Sequence, residues 1–140
     1  MTVKIHIDGG ARGNPGPAAA GVVITAPDGK VIYEAGLYIG QATNNVAEYH
    51  GLVSALKAAL ALNASQVDLY SDSELLVKQM LGEYRVKNAG LRPYYQQALA
   101  LTRKFDRCDF AHVRRDQNNH ADSLVNMAID CQADIGSQMP

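Results

Sequence analysis

The stretch TNNVAEYHGLVSALKAAL, Thr43 to Leu60, decides how the rest of the chain is read. Leu52, Val53, Leu56, Ala59 and Leu60 recur at helical spacing behind a cap region of Thr43, Asn44 and Asn45. Asn63 and Ala64 end this helix. Everything before it reads as strand. Val3, Ile5 and Ile7 alternate with Lys4, His6 and Asp8, up to Gly9 and Gly10. The glycine- and proline-rich turn GGARGNPGPA follows, then AAAGVVITA, the turn Pro27-Asp28-Gly29, and KVIYEAGLYIG. Three strands joined by tight turns predict an antiparallel meander. After the helix, strands and helices alternate. The strand QVDLYSD leads to a short helix, SELLVKQMLG, stopped by Gly82. The connector EYRVKNAG precedes a helix from about Leu91 to Lys104, with Tyr95, Leu99 and Thr102 on one face and Ala98 and Leu101 beside them. A strand, DFAHV, and a helix from near Asn119 to Ala133 complete the order βββαβααβα. That order predicts one α/β domain over residues 1–133, with 134–140 as a frayed tail. Its sheet is five-stranded and mixed, a meander plus parallel strands, flanked by helices.

The 140 residues, 47% of them hydrophobic, are enough for one domain with a proper core. No apolar run reaches the roughly 18 residues of a membrane span. The first residues alternate in polarity, unlike a signal peptide. Cys108 and Cys131 make neither a disulfide framework nor a zinc set. Two reduced thiols are expected, and with them a cytoplasmic setting, although a single bridge between them stays open. The net charge of −1 hides an asymmetry. From Lys78 to Arg115 there are nine basic residues against three acidic ones, whereas the remainder carries a net −7. Either one face meets a polyanion or these are ordinary solvated helix surfaces.

Two strands stop on aspartate: HIDGG at Asp8 and LYSDS at Asp72. Ligands of open α/β sheets gather beyond the carboxyl ends of strands. If the two strands are neighbours, their carboxylates repel unless a cation joins them. Hard oxygen ligands suit Mg²⁺ or Mn²⁺. Glu48 lies at the start of its helix, where the macrodipole favours an anion. A capping box with Asn45 as N-cap is its structural alternative. Asp122 is likewise an acid near a helix start. Together the four could hold two hard cations roughly 3.5–4 Å apart, an arrangement suited to in-line phosphoryl displacement. The loop GARGNPG lacks the Lys-Ser/Thr ending of a nucleotide-binding loop, and no helix follows it.

The segments IDGGARGNPGPAAAGVV, TNNVAEYHGLVSALKAA, LYSDSELLVKQM, VKNAGL and HVRRDQNNHADSLVNMA resemble the successive motifs of type 1 ribonuclease H, in order, over about residues 3 to 130. The resemblance implies a ribonuclease H-like fold, with the family's four acids falling on Asp8, Glu48, Asp72 and Asp122. It implies endonucleolytic cleavage of the RNA strand of an RNA/DNA hybrid by a metal-activated water, leaving 5′-phosphate and 3′-hydroxyl ends. Positions matching Asn14, Asn44 and Asn45 touch the hybrid's minor groove in the family, where the 2′-hydroxyl distinguishes RNA from DNA. Turn and cap chemistry is the alternative use of these asparagines. Double-stranded RNA is a further candidate substrate. A monomer is expected, with no membrane partner.

The chain departs from that pattern in three places. Many bacterial members carry a histidine in the loop before the last aspartate. Here the loop is short and resembles the form of archaeal and some bacterial members, in which an arginine takes that place. Arg115 is the candidate, and His120 is its rival. Arginine binds phosphate but does not shuttle protons near neutral pH. The second departure is the missing tryptophan-rich basic handle after Gly82, where only EYRVKNAG stands. Lys87 is the residue left to meet phosphate there. Cleavage should accordingly fall between low and moderate salt more steeply than in handle-bearing relatives, measured as initial rates. Third, Glu74 stands where some relatives have glutamine, and it either repels the backbone or tunes the metal site.

Overall fold

The computed structural model describes residues 1–136. The elements are β1 (Thr2–Ala11), β2 (Gly16–Thr25), β3 (Val31–Ala42), α1 (Asn44–Ala61), β4 (Gln66–Ser71), α2 (Glu74–Met80), α3 (Arg92–Thr102), β5 (Arg107–His112), α4 (Asn119–Cys131) and β6 (Ile135–Gly136). A 3₁₀ turn, Arg115–Gln117, precedes α4. The strand order is β5-β4-β1-β2-β3-β6. β1, β2 and β3 form the antiparallel meander, whereas β1, β4 and β5 run parallel. The ribonuclease H-like α/β fold expected from the sequence is therefore the fold observed, with one strand more.

That strand corrects the frayed tail for residues 134–136. Ile135 pairs with Gly36 and Gly136 with Ala35. Asp134 Oδ1 accepts a hydrogen bond from Tyr38 N at 2.8 Å. Residues 137–140 lie outside the described residues.

α1 is apolar on more than one side, which its clustered alanines permit. Ala47, Tyr49, Leu52, Val53, Ala55, Leu56, Ala58 and Ala59 are all buried. The helix packs on β1 and β2 and carries α3 on its outer side. α4 covers the opposite face of the sheet, over β2 and β3. β2, between two helices, is buried almost throughout. Tyr49 Oη donates to Gln79 Oε1 at 2.6 Å in the core and ties α1 to α2. The inward face of α3 centres on Ala98 and Leu101, with Tyr95 and Leu99 half-buried beside them.

Thr43 is the N-cap of α1, and its hydroxyl accepts from Val46 N at 3.2 Å. The Asn45–Glu48 capping box does not form, because the helix starts two residues earlier than that pairing requires. Glu48 therefore lies in the second turn, free of capping. Cys108 and Cys131 are both unpaired. No helix among the described residues is long and apolar enough to cross a membrane.

Candidate active site

The parallel ladder places the first two acids. β1 and β4 pair in register up to Ile7 and Ser71, so the next residues, Asp8 and Asp72, leave the ladder side by side. β1 itself does not stop at Asp8. It continues through Gly9 and Gly10 to Ala11, paired to β2 alone. α1 and α4 then approach this corner from opposite faces. Both depend on a missing side chain. A Cβ on Gly9 would fall 2.3 Å from Glu48 N, and one on Gly21 would fall 2.2 Å from Ala121 O. These two glycines bring Glu48 and Asp122 down to the sheet.

Asp8, Glu48, Asp72 and Asp122 all line one cavity of about 270 Å³. Arg12, Asn44, Arg115 and Asn126 share its wall. Asp8, only 9% exposed, has its carboxyl pushed up to about 8. Burial is the main cause, followed by the charge of Asp72 and the Asp122 side chain. The Gly9 amide acts in the other direction. Glu48 is raised to about 7, first by burial and then by Asp72, against the pull of the Ser73 hydroxyl and Arg115.

Acidic groups held this far above the usual carboxylate range suit a divalent cation, which favours their ionised forms. The donors are oxygens throughout, the chemistry of a site for a hard ion. Among the described residues no three such side chains already close on one point as a finished ligand set. The four stand round the cavity wall.

The remaining sequence candidates divide. Asn44 lines the cavity, and its Oδ1 accepts from Ala11 N at 2.7 Å. Its own backbone N donates to Asn14 Oδ1 at 3.0 Å. Asn14 and Asn44 thus brace the end of β1 against the start of α1. Asn45 and Lys87 are exposed and do not line this cavity. Arg115 faces the acids, whereas His120 does not: its Nε2 lies 2.8 Å from Glu34 Oε2 on β3. Glu74 is also outside the cavity, paired with Lys78 at 2.9 Å one turn along α2.

Sequence reasoning missed Arg12, which lines the cavity and pairs with Asp130 from the far end of the chain. It also missed Asn126, although four residues from Asp122 is one helical turn and the same face. The basic stretch is less free than its composition suggested, because Arg107 is clamped by Asp68 and Asp109.

A family model described as "Reverse transcriptase-like" matches residues 6–128. A protein named ribonuclease HI from Halobacterium salinarum is 42% identical over 128 residues, 91% of this chain and 64% of that protein. The N-terminal RNase H domain of Rv2228c from Mycobacterium tuberculosis, solved as a fusion with maltose binding protein, is 45% identical with a TM-score of 0.90. That match covers 93% of this chain and 100% of the other. LC11-RNase H1, solved in complex with an RNA/DNA hybrid, is 42% identical with a TM-score of 0.87, covering 93% of this chain and 98% of the other. The chain spans 37% of the length of the full mycobacterial protein, and a little under two thirds of the halobacterial one. Identity of this order over more than nine-tenths of the chain exceeds what a shared fold requires, and with the family model it has one meaning: the chain belongs to the ribonuclease H family, in its type 1 branch.

Proposed function

We propose that the chain is an endoribonuclease that hydrolyses the RNA strand of RNA/DNA hybrids, leaving 5′-phosphate and 3′-hydroxyl ends. One observation carries this reading: four carboxylates from β1, α1, β4 and α4 line a single cavity, two of them held well above their usual pKa. Asp8, Glu48, Asp72 and Asp122 would hold two Mg²⁺ or Mn²⁺ ions. When bound, such ions supply Lewis-acid chemistry, lowering the pKa of water and neutralising charge on the scissile phosphate.

The other groups position the substrate. Asn44, braced by Asn14, and the exposed Asn45 beside it would meet the minor groove of a hybrid, because amide side chains suit its 2′-hydroxyls. Arg115 brings a fixed positive charge to the cavity and would draw in the phosphate. Another cavity, of about 330 Å³, lies between the connector after Gly82 and the start of α3, lined by Tyr84, Arg85, Arg92 and Tyr95. With Lys87 nearby in sequence it would offer cations and aromatic faces to the backbone of a bound hybrid.

End-labelled RNA/DNA, RNA/RNA and DNA/DNA duplexes, each with Mg²⁺, Mn²⁺ or chelator, test the proposal. Cleavage confined to RNA-containing duplexes, dependent on metal and yielding ligatable 5′-phosphates, is expected. Binding of the hybrid without cleavage under either metal would instead favour a non-catalytic binding domain.

A further inference from the structure

Asn118 is 2% exposed; it does not line the acid cavity and instead meets the wall of a separate cavity of about 230 Å³ shared with His6 and His120. It is the N-cap residue of α4, yet its side chain makes no capping hydrogen bond. An asparagine in that position ordinarily folds back on the first turn of its own helix. This one reaches another element instead: Nδ2 donates to the carbonyl of Ile7 at 2.8 Å. Its Oδ1 is buried with no partner. A buried acceptor without a protein partner and a forgone cap both disfavour this arrangement unless the bond to Ile7 offsets them. Only the amide nitrogen suits a carbonyl partner, so this orientation is fixed by the bond to Ile7.

What that bond holds is specific. Ile7 is the last residue of β1 paired with β4, and Asp8 follows it. The backbone N of Asn118 donates to Arg115 O at 3.0 Å, and its carbonyl accepts from Asp122 N at 3.1 Å. One residue therefore joins the 3₁₀ turn carrying Arg115, the first turn of α4 carrying Asp122, and the strand carrying Asp8. These are three of the charged groups that line the cavity.

We infer that Asn118 is a positioning residue for the metal site: through its bond to Ile7 it fixes Asp122 and Arg115 against Asp8. The inference rests on the reading that the four carboxylates bind divalent cations. Groups that orient metal ligands typically alter metal affinity or activity about 10–100-fold when removed.

Asn118→Asp and Asn118→Ser test it. Aspartate keeps the shape and loses the donor; serine is too short to reach. Mn²⁺ binding is measured by titration calorimetry without substrate, at a temperature where circular dichroism shows each variant fully folded. Both variants should bind Mn²⁺ about 10–100-fold more weakly than the wild type. In Asn118→Asp the added negative charge alone would tighten cation binding, so weakening there reports lost geometry. Cleavage of a hybrid should recover towards the wild-type rate as Mn²⁺ is raised, which a purely structural defect would not produce. Mn²⁺ affinity within twofold of wild type in both variants overturns the inference. A wild type that neither binds Mn²⁺ nor cleaves overturns the carboxylate reading itself, and this inference with it. Should neither variant fold, the wild type still decides. The Asn118 side-chain amide resonance should move in a Mg²⁺ titration with the same midpoint as the Asp8 and Asp122 amides. A stationary resonance beside shifting ones counts against the role.

Discussion

Asp8→Asn is expected to make the metal-free protein more stable at pH 8 while reducing metal-dependent cleavage by about 10³-fold or more. The loss of activity follows from removing one preorganised charge from the cavity. The gain follows from what that charge costs. In the folded chain the Asp8 carboxyl is raised to about 8, whereas in the unfolded chain it ionises in the usual carboxylate range near 4. Between those values the folded state keeps a proton that the unfolded state has lost. Stability therefore falls as pH rises from about 4 to about 8, and the whole cost is present above that. Glu48, raised to about 7, steepens the same slope. Asparagine is neutral at every pH and removes the Asp8 part. Thermal melts in chelator should show the variant melting about 5 °C or more above the wild type at pH 8, and close to it at pH 4. Adding Mg²⁺ should stabilise the wild type more than the variant, narrowing the gap. A variant no more stable than the wild type at pH 8 would mean that Asp8 carries no such strain.

That trade between stability and chemistry was partly legible in the sequence. The two aspartates at strand ends were visible, and so was the hard-oxygen character of the set. Their adjacency was not, because nothing in QVDLYSD says that it pairs with β1 in parallel. The helical spacing of α1 was readable because alanine and leucine dominate it. Its cap region was readable too, but Thr43, Asn44 and Asn45 are all good N-cap residues and only the fold chooses Thr43. Gly9-Gly10 read as the end of a strand. The structure carries the strand through them because β2 supplies partners to Ala11. β6 escaped notice at two residues, too short for any periodicity. The last helix begins at Asn119 as its pattern indicates, with Asn118 as its N-cap. The side-chain partner of Asn118, Ile7, lies 111 residues away. Local pattern thus revealed the elements other than β6, and it singled out the four acids that the fold gathers round one cavity. The contacts that aim those residues are long-range, and they became legible only with the fold.

Gly9→Ala tests that aim most severely. The added Cβ would lie 2.3 Å from Glu48 N, 2.4 Å from the Ala47 carbonyl carbon and 2.6 Å from Glu48 Cα. All three are backbone atoms in the second turn of α1, so no rotamer change relieves them. Overpacking of this kind costs about 1–3 kcal/mol and more where backbone must move. A fall in melting temperature of about 10 °C is expected. The neighbouring Gly10→Ala is the control. Its Cβ would meet only Val125 Cγ1, at 3.6 Å, an ordinary contact, and its melting temperature should stay within about 2 °C of the wild type. Gly9→Ala can remain folded only if α1 retreats by about 1 Å, and Glu48 moves with it. A displacement of that size in a positioned group costs on the order of 10² in rate. Cleavage by Gly9→Ala, measured well below its melting temperature, should therefore fall about 100-fold, although every carboxylate is still present. Wild-type cleavage in a folded Gly9→Ala protein would mean that α1 need not sit this close, and that Glu48 is not held against Asp8 by the absence of one methyl group.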